Sequence, residues 1–391
     1  MKTNIKTRSC LAAAVLAGLL AATGLATGAA RYVVTNDDQT FPTTGVSFYL
    51  VGANGVLTLH QHVSTGGFGI GGGYFGANRI GVLDSGKNRC VFASEAATGD
   101  IVGISVATLT AGTGARGSET DTGTSNGIGL VMNDQFLYAS YTDSSTIGTF
   151  KVQGNCSLTF VNDTAVAGLQ QGVINGMALH DKMLIATYSD GTIESFDIES
   201  GPPISHGDKQ YSTGFKTTQG ASYANSIDIT KDGRYAIFGD TSTSLMVEVS
   251  DISCGKLKKT AVYKSGASIN SSNVMLSPDE TLLYVANTQG ASVTALHFDK
   301  TTGKLSAGCT SPALRGLSGR YSYLVGMALI SASGNGGGVY VAEFGSSPGI
   351  AVVSLDVSGG VCTLQEAAKS PVTDANSPGL LSIGSFPPRS F

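Results

Sequence analysis

A short β-type run, closed by a polar turn and answered by a second such run, returns seven times along this chain at intervals of about 50 residues. The first member of each pair reads Tyr32-Val33-Val34-Thr35-Asn36, Cys90-Val91-Phe92-Ala93-Ser94, Phe136-Leu137-Tyr138-Ala139-Ser140, Met183-Leu184-Ile185-Ala186-Thr187, Tyr235-Ala236-Ile237-Phe238-Gly239, Leu282-Leu283-Tyr284-Val285-Ala286-Asn287 and Val339-Tyr340-Val341-Ala342-Glu343. The second begins near Val56, Ile101, Ile147, Ile193, Leu245, Val293 and Ile350, so two separate counts agree. Around Val274 to Leu305 the unit is complete: four short runs separated by polar turns, which reads as four consecutive antiparallel strands. An earlier run repeats almost literally, Gly176-Met177-Ala178-Leu179 returning as Gly326-Met327-Ala328-Leu329.

A four-stranded sheet of this size has two apolar faces and cannot bury both alone. Its stable solution is face-to-face stacking around an axis until a ring closes, which predicts an all-β, seven-bladed propeller of four-stranded antiparallel blades. Closure also explains the ends of the chain. Tyr32 opens on what is elsewhere a second strand, and Pro378 to Gly384 has the look of an orphan first strand, so the C-terminal run is predicted to complete the blade begun by residues 31–65. The domain reading is one propeller over 31–391, behind a leader over 1–30.

The leader is read from Lys2, Lys6 and Arg8, the uncharged Ala/Leu-rich stretch from Leu11 to about Leu25, and the small residues Gly28-Ala29-Ala30. This is the pattern of a secretory signal peptide with cleavage after Ala30, and it predicts a secreted or periplasmic, monomeric protein with no membrane span after cleavage. Export places Cys90, Cys156, Cys254, Cys309 and Cys362 where disulfides persist, with the connectivity open. Charged residues are 13% of the 391, the net charge is -4, and no run of Lys or Arg occurs, which excludes nucleic acid as a partner.

The chain has no Trp, hence no Trp-Asp repeat. Ser277-Pro278-Asp279, Leu283-Tyr284-Val285-Ala286-Asn287 and Asp299-Lys300-Thr301-Thr302-Gly303 instead resemble the YVTN-repeat and lactonase-like (6-phosphogluconolactonase-like) seven-bladed propellers. The resemblance implies lactone hydrolysis at the channel mouth, served in that family by Pro-His-x-His-Ser and Gly-Pro-Arg-His segments. Here Tyr223 and Asn225 stand where the histidines would be, and Asn270-Ser271-Ser272-Asn273 offers neither Arg nor His.

Motifs for other chemistries are missing: no Gly-x-Ser-x-Gly, His-Glu-x-x-His or Cys-x-x-Cys. His60 and His62 lie two apart on a predicted strand and are expected on one face, short of a third metal ligand. His180 is expected in a solvated turn beside Asp181. Asn36-Asp37-Asp38, and Glu119 with Asp121, bring carboxylates together without the spacing of a calcium loop, so no cofactor is assigned beyond a structural Ca²⁺ at such a cluster. Gly66 to Gly76 reads as an inter-blade connection. The polar residues expected at the starts of first strands, facing an axial channel, are Asn175, Tyr223, Asn225, Ser272 and Tyr323. Two functions follow: an exported binding or scaffold propeller presenting loops or a channel to a protein, glycan or small polar ligand, and, alternatively, a sugar-lactone hydrolase working at the channel mouth.

Overall fold

Strand Leu282–Asn287 is buried at every position, although side chains alternate between the two faces of a sheet. Burial on both faces means that each sheet is enclosed by neighbours, and the rest of the chain follows suit. The computed structural model describes residues 30–37, 44–52, 55–69, 79–117, 128–142, 144–211, 224–240, 246–252, 255–264, 271–287, 290–316, 323–330, 338–344, 349–356, 362–373 and 382–388. These form seven antiparallel blades, and residues 31–391 make one compact unit. Among the described residues no helix is long and apolar enough to cross a membrane.

From the axis outwards, blade 1 runs Ser382–Phe386, Tyr32–Asn36, Gly45–Val51 and Leu57–Ser64; blade 2 runs Ile80–Asp84, Arg89–Glu95, Asp100–Ser105 and Thr110–Ala111. Blade 3 is Ile128–Met132, Phe136–Tyr141, Thr146–Val152 and Leu158–Ala165, and blade 4 is Ile174–His180, Met183–Tyr188 and Thr192–Asp197 with an interrupted edge. Blade 5 is Ala224–Ile229, Tyr235–Asp240, Met246–Asp251 and Lys258–Lys264; blade 6 is Ser271–Leu276, Leu282–Asn287, Ser292–Asp299 and Lys304–Thr310; blade 7 is Tyr323–Ile330, Gly338–Phe344, Gly349–Asp356 and Thr363–Glu366. The innermost strands touch one another in sequence around the axis, and that of blade 7 meets that of blade 1.

The expected closure is present: Tyr32 pairs with Phe386, Val34 with Gly384 and Asn36 with Ser382. The strand begins at Ser382; residues 374–381 lie outside the described residues. Alternation does the rest. Val33 and Tyr49 pack with Tyr340 and Ile350 of blade 7, while Val34 and Phe48 pack with Ile80 and Val91 of blade 2, so every blade belongs to two cores.

Two disulfides staple adjacent blades. Cys90 on blade 2 joins Cys156 in the outer hairpin of blade 3, and Cys309 on the edge of blade 6 joins Cys362 of blade 7. The close approach explains Gly103, where a Cβ would stand 1.8 Å from the Cys156 carbonyl oxygen. Cys254 lies outside the described residues.

Two expectations need correction. The third strand of blade 1 is Gly45–Val51; Val56 stands at the start of the fourth, because the turn closed by the Gly52 N–H to the Val56 carbonyl places the hairpin there. Blade 4 also departs from four simple strands, since two short pieces, Ile204–Ser205 and Gln210–Tyr211, pair with the same third strand. Between them Gly207 takes a positive φ of 68° and Asp208 turns inward, where its carboxylate replaces the ladder by accepting from Ser195 N (2.9 Å) and from Leu257 N of blade 5 (3.0 Å).

Candidate functional site at the channel mouth

The end of the ring where the innermost strands begin is built by a repeated irregularity. Blades 4, 5, 6 and 7 each carry a β-bulge in the innermost strand, between Ile174 and Gly176, Ala224 and Ser226, Ser271 and Asn273, and Leu324 and Gly326. Each bulge inserts one extra residue, namely Asn175, Asn225, Ser272 and Val325, opposite the end of the second strand. An extra residue bends the strand and re-aims the chain, a device common beside binding sites. Asn175, Asn225 and Ser272, expected from the sequence at strand starts, are therefore three members of one layer. Asn175 is buried.

Tyr323 lies two residues before its bulge and pairs regularly with Phe344, so it belongs to the ladder. Tyr223 falls outside the described residues. Val325 was missed, although the signal exists: the bulged residue directly precedes the glycine in both copies of Gly-Met-Ala-Leu.

One step inward, the ladder position just after the bulge carries Gly176, Ser226, Asn273 and Gly326; in the unbulged blades the same register falls on Gly129, Ser382 and Arg79. Six small residues suit a layer in which the strands crowd the axis; a Cβ on Gly326 would come to 3.1 Å from Ile383 of blade 1. Arg79 is the exception, with only 2% of its surface exposed. Its backbone is held on both sides, its N–H by the Ser382 hydroxyl (3.0 Å) and its carbonyl by the Asn36 amide (3.3 Å), which also donates to Ser94 O (2.9 Å). A buried guanidinium costs several kcal/mol unless it is compensated, so its presence here is a feature of this end of the ring. Nothing in the repeat announced it, because it sits just after the glycine-rich link, of which 70–78 lie outside the described residues.

In blades 2, 3 and 7 the next residue of the second strand faces the connection arriving from the preceding blade. Tyr141 takes the Gly117 N–H on its hydroxyl (3.3 Å), and Glu95 takes the Gly67 N–H (3.2 Å) together with the hydroxyls of Thr44 (3.3 Å) and Thr98 (3.4 Å). Burial raises the Glu95 carboxyl above its ordinary pKa, opposed by these donors and by Thr65, and Asp100 adds to the rise. In blade 7 the register holds Glu343, fully buried, with neither oxygen hydrogen-bonded. Burial, aided by Glu366, pushes it up to about 8.

The candidate metal and nucleophile residues are arranged otherwise. A bulge between the pairings of Phe48 and Tyr49 breaks the alternation of the outer strand of blade 1, so His60 and His62 do not share a face. His60 lies beside the Tyr32 ring, with centroids 5.7 Å apart, and His62 Nδ1 meets the Ser47 hydroxyl at 3.0 Å on the other side. Asp37 caps the Gly45 N–H at 2.7 Å; Asp38, Glu119 and Asp121 lie outside the described residues. His180 ends a strand and lines an open cleft of about 750 Å³ at the opposite end of the ring, with His206, Asp197 and Asp232. Ser195 bonds both His206 Nδ1 (2.8 Å) and Asp208 (2.6 Å), but it is fully buried and stands between the two. A hydrolytic triad needs the imidazole in the middle, so this is a structural network.

A family model described as lactonase, 7-bladed beta-propeller, matches residues 91–374. No curated protein matches the chain. Among solved structures, a protein of unknown function from Desulfotomaculum acetoxidans is similar with a TM-score of 0.65 at 14% identity, covering 90% of this chain and 98% of its own. A Bacteroides uniformis protein provisionally assigned as a 6-phosphogluconolactonase gives 0.58 at 15% identity, over 70% of this chain and 80% of its own. The periplasmic gluconolactonase of Pseudomonas aeruginosa gives 0.56 at 13%, over 71% and 80%. At such identities the likeness speaks for the fold.

Proposed function

The chain belongs to the seven-bladed β-propeller lactonase family, and on that premise we propose that it is an exported, monomeric binding propeller whose channel mouth takes a small polar ligand of the sugar or sugar-lactone class. The observation that carries this reading is the run of four bulges at one level, whose extra residues include Asn175, Asn225 and Ser272. Neutral amides and hydroxyls are suited to hydroxyl-rich ligands, and a ring of rigid blades holds them without a large ordering cost on binding. Export is supported by the basic and then apolar N-terminal segment and by two disulfides, which persist in oxidising compartments.

A second reading, hydrolysis of a sugar lactone at the same mouth, is favoured by Arg79, a buried cation at the level where a carbonyl or anionic group would develop charge. One experiment separates the two: the full chain is titrated with a panel of aldonolactones by calorimetry while acid release is followed in a pH-stat. Binding without turnover above the spontaneous rate supports the first reading, and turnover lost in Arg79→Met supports the second. Absence of both binding and turnover across the panel overturns the small-ligand proposal. The paired variant Asn175→Ala/Ser272→Ala is expected to weaken binding about tenfold or more, since each amide or hydroxyl bond contributes roughly 0.5–1.5 kcal/mol.

A further inference from the structure

Glu95 and Glu343 occupy the same register in blades 2 and 7, beneath the same kind of connection, yet only one has donors. Thr44, which donates to Glu95, stands two residues before Val46, the partner of Asn36; in blade 6 the same step before Val293, the partner of Ala286, falls on Ala291, which has no hydroxyl to give. Thr65, whose N–H pairs with the Thr44 carbonyl, is matched by Leu314, whose N–H pairs with the Ala291 carbonyl and whose side chain is apolar. Gly67 gives its N–H to Glu95, whereas Gly316 stands against Glu343 with no hydrogen bond, so close that a Cβ there would lie 1.9 Å from Oε2. A fully buried carboxyl with no donor either keeps its proton or, once ionised, needs a positive partner for its lone pairs.

The surroundings are oxygen-rich and acidic. Glu366 is near enough to act on Glu343; its Oε1 takes the Ser370 hydroxyl (2.6 Å), and its Oε2 takes Arg315 N (2.8 Å) and lies 3.3 Å from Arg315 Nε. Arg315 is half-exposed and engaged with Glu366 and with the carbonyls of Ala367 and Ala368. No nitrogen or sulfur ligand stands among the groups named, which selects a hard cation over zinc or copper.

We propose that the seam between blades 6 and 7 is a binding site for a divalent cation of the calcium type, with both oxygens of Glu343 as principal ligands and Glu366 as the second carboxylate. The cation supplies what Thr44, Gly67 and Thr98 supply to Glu95, and it fastens the connection through Gly316 to blade 7. This site is independent of any ligand at the channel mouth.

The test is calorimetric titration of the full chain, stripped with chelator, using calcium chloride alone and then magnesium chloride. One calcium per chain is expected, with magnesium weaker because it demands stricter octahedral geometry. Glu343→Gln should abolish the heat, Glu366→Gln should weaken binding about tenfold or more, and Glu95→Gln should leave it unchanged. Glu343→Asp, which keeps the charge on a shorter arm, guards against misfolding: it should melt cooperatively and bind more weakly than the wild type. Absence of calcium binding in the wild type, or binding undiminished in Glu343→Gln, overturns the proposal.

Discussion

The seam between blades 1 and 2 and the seam between blades 6 and 7 share one plan and differ in chemistry. In both, a glutamate stands at the same register near the end of a second strand, its side chain faces the preceding blade, and a glycine of the incoming connection lies on it. At the first seam the charge is spread over a backbone N–H and two threonine hydroxyls; at the second, Ala291 and Leu314 bring no hydroxyl and the carboxyl is bare. The repeat thus conserves shape while freeing single seams for other uses. Blades 6 and 7 are also held by the Cys309–Cys362 bridge, which secures this seam by a covalent route.

The sharpest probe of the contrast is pH. With its carboxyl raised from the ordinary 4.5 to about 8, folded Glu343 keeps a proton that the unfolded chain releases, so stability falls as pH rises between those values and then levels off. In chelator, Glu343→Gln should match the wild type at pH 5 and exceed it at pH 9 by up to about 5 kcal/mol, because each tenfold difference in proton affinity between the folded and unfolded chains is worth about 1.4 kcal/mol. Urea unfolding at the two pH values measures this, and parallel profiles would remove the contrast. Glu95 is raised in the same direction, so Glu95→Gln should change the slope with the same sign, to a smaller extent because donors oppose the rise.

Next in size is the loss of the acceptor itself. Glu95→Ala strands the Gly67 N–H and should cost about 1–3 kcal/mol, read as a lowered melting temperature, whereas at pH 7 in chelator Glu343→Ala strands no donor and should cost less. The glycines give a finer comparison. A Cβ at 67 would lie 1.5 Å from a Glu95 oxygen that its donors hold in place, so Gly67→Ala should destabilise more than Gly316→Ala, where the carboxyl can swing aside. Equal losses would mean that Glu343 is as constrained as Glu95.

How much could be read in advance differs by level. Blade number, strand order and head-to-tail closure were legible because alternation and period are local properties, repeated seven times, and Tyr32 had only one missing partner to find. The Val56 misassignment arose where two apolar runs, Gly45–Val51 and Leu57–Ser64, fit the third strand equally well by pattern, and only the Gly52 turn distinguishes them. His60 and His62 shared a face on paper because period 2 assumes an unbroken strand, and a bulge is invisible to period. Asn175, Asn225 and Ser272 were expected at the starts of first strands, and each is the extra residue of a bulge there, while Arg79 carried no pattern at all.

The amino-acid sequence alone settled that the chain must stack seven wedges into a ring, since each wedge has two apolar faces and too little bulk to hide either. Tertiary structure decided what the ring holds at its seams: which cysteines meet, which residue each bulge adds to an innermost strand, and which buried carboxyl has no donors. Those outcomes depend on groups far apart in the chain arriving within a few ångströms, and on each seam the partner is supplied by a different blade.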